Sequence, residues 1–306
     1  MVKTTFKQYL LEAEEKMPPA EDVDDLLDSI KSGYFTKDGS KLKVTGGFNC
    51  SINKLKSLEG CPQTVTGEFS CSNNKLKSLE GCPQKVGGDF TCGHNQLKSL
   101  EGCPQKVVGG FACHINQLKS LEGCPQTVGG YFNCSSNQLK SLEGCPQTVG
   151  GNFNCGINKL ESLEGCPQTV GGYFNCFGNN QLKSLEGCPQ TVGGYFDCSI
   201  NQLESLEGCP QTVGGNFNCI KNKELTSLAR INFYVHEING ASGADFSGCP
   251  IKSNILGILK IRGLKKVKFD DKQLEEIMNR HLPMGDSTDC IDDLLDAGYG
   301  KEYCKW

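Results

Sequence analysis

The 21 residues NQLKSLEGCPQTVGGYFNCSS, which begin at Asn116, recur with small changes nine times in this chain. Aligned copies place one asparagine in register, with one-residue insertions after Asn179 and Asn222; the column comprises Asn53, Asn74, Asn95, Asn116, Asn137, Asn158, Asn179, Asn201 and Asn222. A fixed period of about 20 to 50 residues is typical of a solenoid. A lone copy buries too few side chains to offset the entropy of ordering it, so the copies must stack.

Each copy follows the pattern V-x-x-x-F-x-C-x-x-N-x-L-x-x-L-x-x-C-P. The F-x-C portion alternates with period two, which predicts a short strand with Phe and Cys pointing inward. Asparagine tolerates unusual backbone angles and bonds to nearby backbone groups, so we expect it to turn the chain. The two leucines and the second Cys then close the coil from the other side.

Of the 20 cysteines, 17 fall at two positions of the repeat, and there is no C-x-x-C pair. One column runs from Cys50 to Cys219 and the other from Cys61 to Cys209, with Cys249 expected as a further member of the second. Free cysteine behaves as a small hydrophobe suited to tight inward positions, so we interpret the thiols as reduced packing residues. Disulfides and metal binding are the less favoured alternatives, because zinc sites need clustered ligands.

Composition excludes several classes of protein. The net charge is −4, which does not indicate nucleic-acid binding, and no run of 18 apolar residues predicts a membrane span. The N-terminus MVKTTFKQYLLEAEEKMPP lacks the apolar core of a secretory signal, so we expect an unexported, soluble protein. No catalytic or phosphate-binding motif is present, and no enzyme activity or cofactor is predicted.

The fold class predicted is a leucine-rich-repeat-like solenoid of about nine coils of 21 residues, each with one short parallel strand. Residues 1–40 form an N-terminal helical cap, 41–228 the solenoid and 229–306 a mixed α/β C-terminal cap. The segments Val23–Ser29 and Ile291–Ala297 read alike and predict cap helices. The basic run from Lys260 to Lys268 alternates like an edge strand bearing protective lysines.

Outward strand positions vary between copies and form the candidate binding surface, since the inward positions are committed to the core. Tyrosine provides a large contact area with a polar tip, and asparagine flanks it. The predicted partner-binding residues are Tyr131, Asn133, Asn154, Tyr173, Asn175, Phe177, Tyr195 and Asp197. Drift among near-identical copies is the alternative explanation for this variation.

Other polar positions favour structural roles. A column of lysines from Lys56 to Lys183 precedes a column of glutamates from Glu59 to Glu207 by three residues, which indicates a solvated, self-compensating face. His94 and His114 lie on neighbouring columns one coil apart, and we interpret them as isolated surface histidines. No metal site is predicted.

The spacing F-x-C-x-x-N-x-L-x-x-L over residues 44–228 resembles the signature of leucine-rich repeats, with Phe and Cys at strand positions usually held by Leu. The sequence motifs SLEGCP and VGGxFxCSxNQL, with the C-terminal segment from Asn254 onward, are similar to those of leucine-rich-repeat proteins of large tailed bacteriophages. Cys in place of Ala before Pro, and an abbreviated segment before the first coil, are departures from them.

The start MVKTTFKQYLLEAEE resembles the capsid-targeting leaders of internal head proteins in such phages. This resemblance implies removal of a leader, residues 1–12, by cleavage between Glu12 and Ala13. The alternative is an amphipathic capping helix with one apolar stripe, formed by Phe6, Tyr9, Leu10 and Ala13.

The leading functional hypothesis is a non-catalytic, protein-binding phage scaffold in the host cytoplasm. The partner is a host or phage protein, self-association is left open, and no membrane or nucleic-acid partner is expected. The alternatives are a virion component delivered by the leader and an enzyme in the C-terminal cap.

Overall fold

The computed structural model describes residues 35–38, 41–59, 61–231, 235–240, 243–285 and 287–306, with side chains from Lys43 onward. The predicted N-terminal helix, the segment Val23–Ser29 and the leader residues Glu12 and Ala13 lie outside the described residues. The chain forms two compact units. The first unit runs to Gln138 and includes Gly144–Val149, and the second comprises Leu139–Glu143 and Gly150–Trp306. The predicted domain boundaries at 41 and 229 stay predictions.

The described part of the first unit contains twelve strands. They are β1 (Phe35–Asp38), β2 (Lys41–Val44), β3 (Phe48–Asn49), β4 (Thr64–Val65), β5 (Phe69–Ser70), β6 (Lys85–Val86), β7 (Phe90–Thr91), β8 (Lys106–Val107), β9 (Phe111–Ala112), β10 (Thr127–Val128), β11 (Phe132–Asn133) and β12 (Thr148–Val149). One parallel sheet has the order β2-β4-β6-β8-β10-β12, with β1 antiparallel at its edge, and the other has the order β3-β5-β7-β9-β11.

The second unit contains the remaining described strands and helices. The strands are β13 (Phe153–Asn154), β14 (Thr169–Val170), β15 (Phe174–Asn175), β16 (Thr191–Val192), β17 (Phe196–Asp197), β18 (Thr212–Val213), β19 (Phe217–Asn218), β20 (Glu237–Ile238), β21 (Ala244–Asp245) and β22 (Val267–Lys268). A 3-10 helix spans Leu256–Lys260, followed by α1 (Lys272–His281) and α2 (Ser287–Asp296). The sheets have the orders β14-β16-β18-β20 and β13-β15-β17-β19-β21-β22.

The predicted leucine-rich-repeat-like solenoid is confirmed, with one coil per repeat. Each coil carries two short parallel strands rather than the one predicted, because the Thr-Val segment pairs with its neighbours as well as the Phe segment does. A glycine corner separates the two strands. A Cβ atom on Gly171 would lie 2.2 Å from the carbonyl oxygen of Gly150 in the preceding coil, so the coils approach too closely there for any side chain.

The core consists of the six inward apolar side chains that the repeat predicts for each coil. One coil buries Val86, Phe90, Cys92, Leu97, Leu100 and Cys103, none more than 4% exposed. Identical side chains lie above one another, so the Phe90 and Phe111 rings stack at 5.4 Å in the first unit and the Phe153 and Phe174 rings at 5.3 Å in the second. Each coil is therefore completed by its neighbours.

The asparagine column satisfies backbone groups at the turn, as predicted. Asn95 donates from Nδ2 to the carbonyl oxygens of Cys71 in the preceding coil and Cys92 in its own, both at 3.1 Å. Its Oδ1 accepts the Leu76 amide at 3.0 Å. One buried side chain thus joins two coils where the sheets do not reach.

The insertion after Asn179 is absorbed in this turn. Asn179 keeps its place in the column, with Nδ2 donating to the Cys176 oxygen at 2.8 Å, whereas Asn180 is exposed. The enlarged turn is closed by a bond of 3.0 Å from the Leu182 amide to the Asn179 oxygen. The strands keep their register, because Phe174 still pairs with Phe196.

All twenty cysteines are free, and all except Cys304 are buried, which confirms the packing role. Burial disfavours the thiolate and raises the pKa of Cys82 and of Cys145 to about 12. Cys249 is not a further member of the second cysteine column. Phe246 occupies the register position of Cys219, so Cys249 takes that of Asn222, and its thiol donates to the Cys219 oxygen at 3.0 Å.

The C-terminal cap exchanges the sizes of the two inward strand residues. Where regular coils have Phe and then Cys, β21 places Ala244 at the Phe position and Phe246 follows at the Cys position. The Phe246 ring continues the aromatic stack, 6.0 Å from Phe217 and 5.8 Å from Phe269. A large and a small side chain still fill each layer, so the core volume is conserved.

Helix α1 covers the last strand. Asn279 accepts the Val267 amide at 2.8 Å and donates to the Val267 carbonyl at 2.9 Å, as a further strand would, and Glu275 accepts the Phe269 amide at 3.0 Å. Asp271 is the N-cap of this helix, and its carboxylate accepts the amides of Gln273 and Leu274. The C-terminal cap is α/β as predicted, and Ile291–Ala297 falls largely in α2. Only Val267–Lys268 of the basic run is a strand, because Arg262 forms no more than an isolated bridge with Glu237 and the chain turns at Gly263, where φ is 72°.

We predict that Asn95→Ala lowers the free energy of unfolding by about 2–4 kcal/mol, because it leaves buried backbone groups without partners. Urea denaturation followed by circular dichroism measures the change. Asn49→Ala is the control, since Asn49 is exposed and bonds only within its own turn. Equal losses in both variants would contradict the bridging role of the asparagine column.

We predict that thiol-specific reagents modify the native protein in one fast phase, at Cys304, because the other thiols are buried and their reaction requires local opening. Absorbance during labelling counts the thiols, and Cys304→Ser removes the fast phase. Rapid labelling of many thiols without denaturant would show that the columns are accessible.

Candidate functional site

The structure distributes the eight predicted partner-binding residues over both units. Tyr131 and Asn133 lie in the first unit. The second unit contains Asn154, Tyr173, Asn175, Phe177, Tyr195 and Asp197. All eight are at least partly exposed; seven flank the Phe of a strand, as the alternation predicts, and Phe177 lies in the turn that follows one.

The asparagines that follow the strand Phe have a structural function. Asn154 accepts the Gly156 amide at 3.0 Å, and Asn175 accepts the Phe177 amide at 2.9 Å. Asp197 accepts the Ser199 amide at 2.9 Å, and Asn133 that of Ser135 at 3.1 Å. Each side-chain oxygen therefore closes an Asx turn at the end of its strand. An Asn or Asp directly after the strand Phe, at the end of a strand, was the sequence signal that could have predicted these Asx turns.

Tyr131 lies flat on the surface of the first unit. Its ring covers Gly110, where a Cβ would lie 2.3 Å from a ring carbon, and its hydroxyl reaches the Asp89 carboxylate. Partial burial, followed by the charge and hydrogen bond of Asp89, raises the pKa of Tyr131 to about 12. The phenol is thus engaged within its own unit.

Tyr173 and Tyr195 stand upright in the second unit. Their rings stack at a centroid distance of 4.6 Å and an angle of 11°. Asn152 holds the same repeat position one coil before Tyr173, and its side-chain oxygen accepts the Tyr173 amide at 3.0 Å. Because this position is not a glycine, the Tyr173 ring has no space in which to lie flat over the preceding coil. Tyr195 is 41% exposed. Burial, then the Tyr173 and Asp197 side chains, raises the pKa of Tyr195 above its ordinary value.

Exposed isoleucines, which the sequence pattern did not predict, lie beside this face. Ile157 is 52% and Ile200 40% exposed in the second unit, and Ile52 and Ile115 occupy the same column of the first. All four have positive φ, between 52° and 62°. A β-branched residue is rare in this left-handed region. Isoleucine two residues after the strand Cys and directly before Asn was the available signal.

His94 and His114 are not isolated from one another, which corrects the prediction. Their rings make an edge-to-face contact at a centroid distance of 5.3 Å. The Nδ1 atom of His114 is buried and has no hydrogen-bond partner among the described residues. Burial first, and the neighbouring His94 second, lowers the pKa of His114.

The charges of the lysine column are not balanced by the glutamate column as predicted. In the second unit the lysine column itself contains glutamates, which gives ion pairs of 3.0 Å for Lys140–Glu161 and 2.9 Å for Lys183–Glu204. In the described part of the first unit, no carboxylate lies within ion-pair distance of the lysines of this column, which are Lys56, Lys77, Lys98 and Lys119. Exposed pairs contribute little stability in either case.

A polar cluster joins the two cap helices. Asp293 accepts from His281 at 2.8 Å and from Arg280 at 2.7 Å, and these bonds hold the pKa of the Asp293 carboxyl below its usual value. The arrangement links α1 to α2. Among the described residues no group of three or more His, Cys, Asp or Glu side chains is arranged to hold a metal ion.

No family model and no curated protein matches the chain. Among solved structures, the chain is similar to YopM from Yersinia enterocolitica WA-314, with a TM-score of 0.37 and 13% identity over 86% of this chain and 73% of that one. Similarity at this level carries no argument about function. In the described part of the chain, no helix has the length and apolar character needed to cross a bilayer.

We predict that the protein loses stability as the pH falls below about 6.5, the ordinary pKa of histidine. His114 has a lowered pKa in the folded state, so the unfolded chain binds its proton first, and the stability present above that pH is lost as His114 is forced to charge. Thermal melting across this range should show a shallower dependence in His114→Gln. Identical profiles in both proteins would contradict the prediction.

Proposed function

We propose that the protein is a non-catalytic repeat scaffold that binds a protein partner through the strand face of its second unit. The observation that carries the proposal is the upright stacked pair of Tyr173 and Tyr195. Large aromatic side chains with polar tips are enriched among residues that dominate binding energy at protein interfaces.

The stacked pair is preorganised for binding. Both tyrosines precede Phe residues anchored in the core, and their strands pair in register, so the backbone beneath the rings is fixed. Stacking also restricts the rings before any partner arrives, which reduces the ordering cost of association. The half-buried Asn175 and Asp197 add polar groups beside the rings.

The proposed surface is smaller than the one predicted from the sequence. A side-chain oxygen of Asn154, Asn175 and Asp197 is already bonded within an Asx turn. Phe177 extends the surface toward the turn. Tyr131 is left out of the proposed anchors, because its ring lies over Gly110.

The sequence resemblance of the repeats and of the C-terminal segment to phage leucine-rich-repeat proteins supports an origin in a large tailed bacteriophage, with action in the host cytoplasm. The leader-like start supports the alternative of a virion component. Mass spectrometry of purified particles separates the two, since peptides that begin at Ala13 would establish packaging and cleavage, whereas absence of the chain from particles favours the cytoplasmic function.

We predict that Tyr173→Ala combined with Tyr195→Ala weakens partner binding by at least about 30-fold, the effect of removing one interface hot spot. Partners retained from host lysate by the immobilised protein would be identified and then titrated by calorimetry. Tyr131→Ala is the matched control, as it removes the same side chain from the same repeat position. Capture unaffected by the double substitution, or lost equally in Tyr131→Ala, would refute the assignment of the surface.

A further inference from the structure

Asp197 carries a negative charge that its structural role does not require. Its Oδ1 atom accepts the Ser199 amide at 2.9 Å and closes the Asx turn after its strand. Asn154 and Asn175 close the same turn in the two preceding coils with a neutral side chain. Asparagine would therefore serve the turn equally well. Asp197 is also half-buried, where a charge without a partner is less favourable than on an open surface.

The second carboxylate oxygen of Asp197 has no cation beside it within the chain. The Ser199 amide and the Ser199 hydroxyl both donate to Oδ1, which leaves Oδ2 outside the turn. No Lys, Arg or His in the described ranges lies within ion-pair distance of Asp197. Its register partner in the next coil is Asn218, a neutral residue. Where the asparagines of this column have an amide nitrogen as their second polar atom, Asp197 has a charged acceptor.

Another aspartate of the same column shows what this second oxygen binds. Asp245 is the register partner of Asn218, and its Oδ1 accepts the Ser247 amide at 3.0 Å in the same kind of turn. Its Oδ2 lies 3.4 Å from the ammonium nitrogen of Lys268, which is the register partner of Asp245 in the following strand. The chain thus supplies a cation to Asp245 and supplies none to Asp197.

Tyr195 lies beside this carboxylate and has one open ring face. Because side chains alternate along a strand, Tyr195 and Asp197 share the outer side, about 6.6 Å apart along the chain. Tyr173 stacks on one face of the Tyr195 ring. In the next coil, the side-chain oxygen of Asn216 is directed onward, 2.1 Å from where a Cβ of Gly240 would be. It therefore does not cover the other face, which agrees with the 41% exposure of Tyr195.

An open aromatic face beside a charged acceptor suits an arginine side chain. The guanidinium group is planar and weakly hydrated, so it stacks on an aromatic ring while its N–H groups donate to a carboxylate. A lysine ammonium is a compact, strongly hydrated point charge without a plane to stack. The other tyrosines of this column, Tyr131 and Tyr173, are followed two residues later by Asn133 and Asn175. The combination of tyrosine and carboxylate is therefore specific to the coil of Tyr195.

We propose that Tyr195 and Asp197 form an arginine-binding subsite of the strand face. An arginine of the protein partner stacks its guanidinium group on the free face of Tyr195 and donates a hydrogen bond to Oδ2 of Asp197. This inference rests on the proposed function and specifies the chemistry of the partner, which must present an accessible arginine. Asp197 then determines specificity, because its charge selects a cationic side chain where the neighbouring asparagines do not.

Nuclear magnetic resonance of the full chain with labelled tyrosine rings tests the subsite directly. The probe is N-acetyl-arginine amide, and its neutral isostere N-acetyl-citrulline amide is the control. We expect the arginine probe to shift the Tyr195 signal saturably, and the citrulline probe to bind about tenfold or more weakly, since it lacks the charge. Asp197→Asn should weaken the arginine probe by a similar factor, and citrulline should lose nothing further in that variant.

Two controls separate this effect from loss of structure. Asp197→Asn keeps the Asx turn, as Asn175 does, so its melting temperature should match that of the unaltered chain. Glu164→Gln removes an exposed charge from the same unit and should leave the titration unchanged. Absence of a saturable shift at Tyr195, equal binding of the two probes, or undiminished binding to Asp197→Asn would each overturn the subsite.

The captured partner distinguishes failure of this inference from failure of the proposed function. Asp197→Asn should weaken that partner about tenfold, as should replacement of the partner's arginine. A partner that requires Tyr173 and Tyr195 but binds Asp197→Asn as tightly as the unaltered chain would overturn the arginine subsite and leave the proposed function standing. Capture that ignores both tyrosines would refute the proposed function, and the titration with the arginine probe would still decide the subsite.

Discussion

Backbone pairing between successive coils is the constraint on which the structure depends. Each coil is one strand spacing thick, and its two short strands bond to the coils on either side. Equivalent positions of the repeat must therefore lie on top of one another, and a side chain suitable for one coil must tolerate a copy of itself as neighbour. Phenylalanine stacks, asparagine joins turns and buried cysteine fills space, whereas a column of lysines has no partner within itself.

The architecture was largely predictable, because the period and the inward positions are written in the sequence many times over. The second strand was missed, since Thr-Val is too short to show alternation and owes its pairing to the glycine corner beside it. Cys249 was misplaced for a related reason. The Gly-Cys-Pro sequence around Cys249 matches the regular copies. In that coil, however, Ala244 and Phe246 take the positions of the strand Phe and Cys, so Cys249 falls at a different position of the repeat.

The candidate binding surface was less predictable from the sequence, because outward side chains differ in orientation as well as in residue type. Tyr131 and Tyr173 occupy the same repeat position, yet a glycine in the preceding coil allows one ring to lie flat and Asn152 leaves the other upright. The asparagines appeared free to bind, but their oxygens close turns. Left-handed isoleucines escaped notice since the positive φ of that turn is not apparent from a hydrophobic pattern.

The single extra residue at Asn180 shows where this architecture tolerates change. The Asn179 column and the strand register continue across it undisturbed, and the added residue projects into solvent. Coil length and sheet geometry are consequently separable properties. Lineages that duplicate these coils can lengthen individual turns into loops of new composition while preserving the stacked sheets, so the turn offers a site for grafting foreign peptides onto a rigid support.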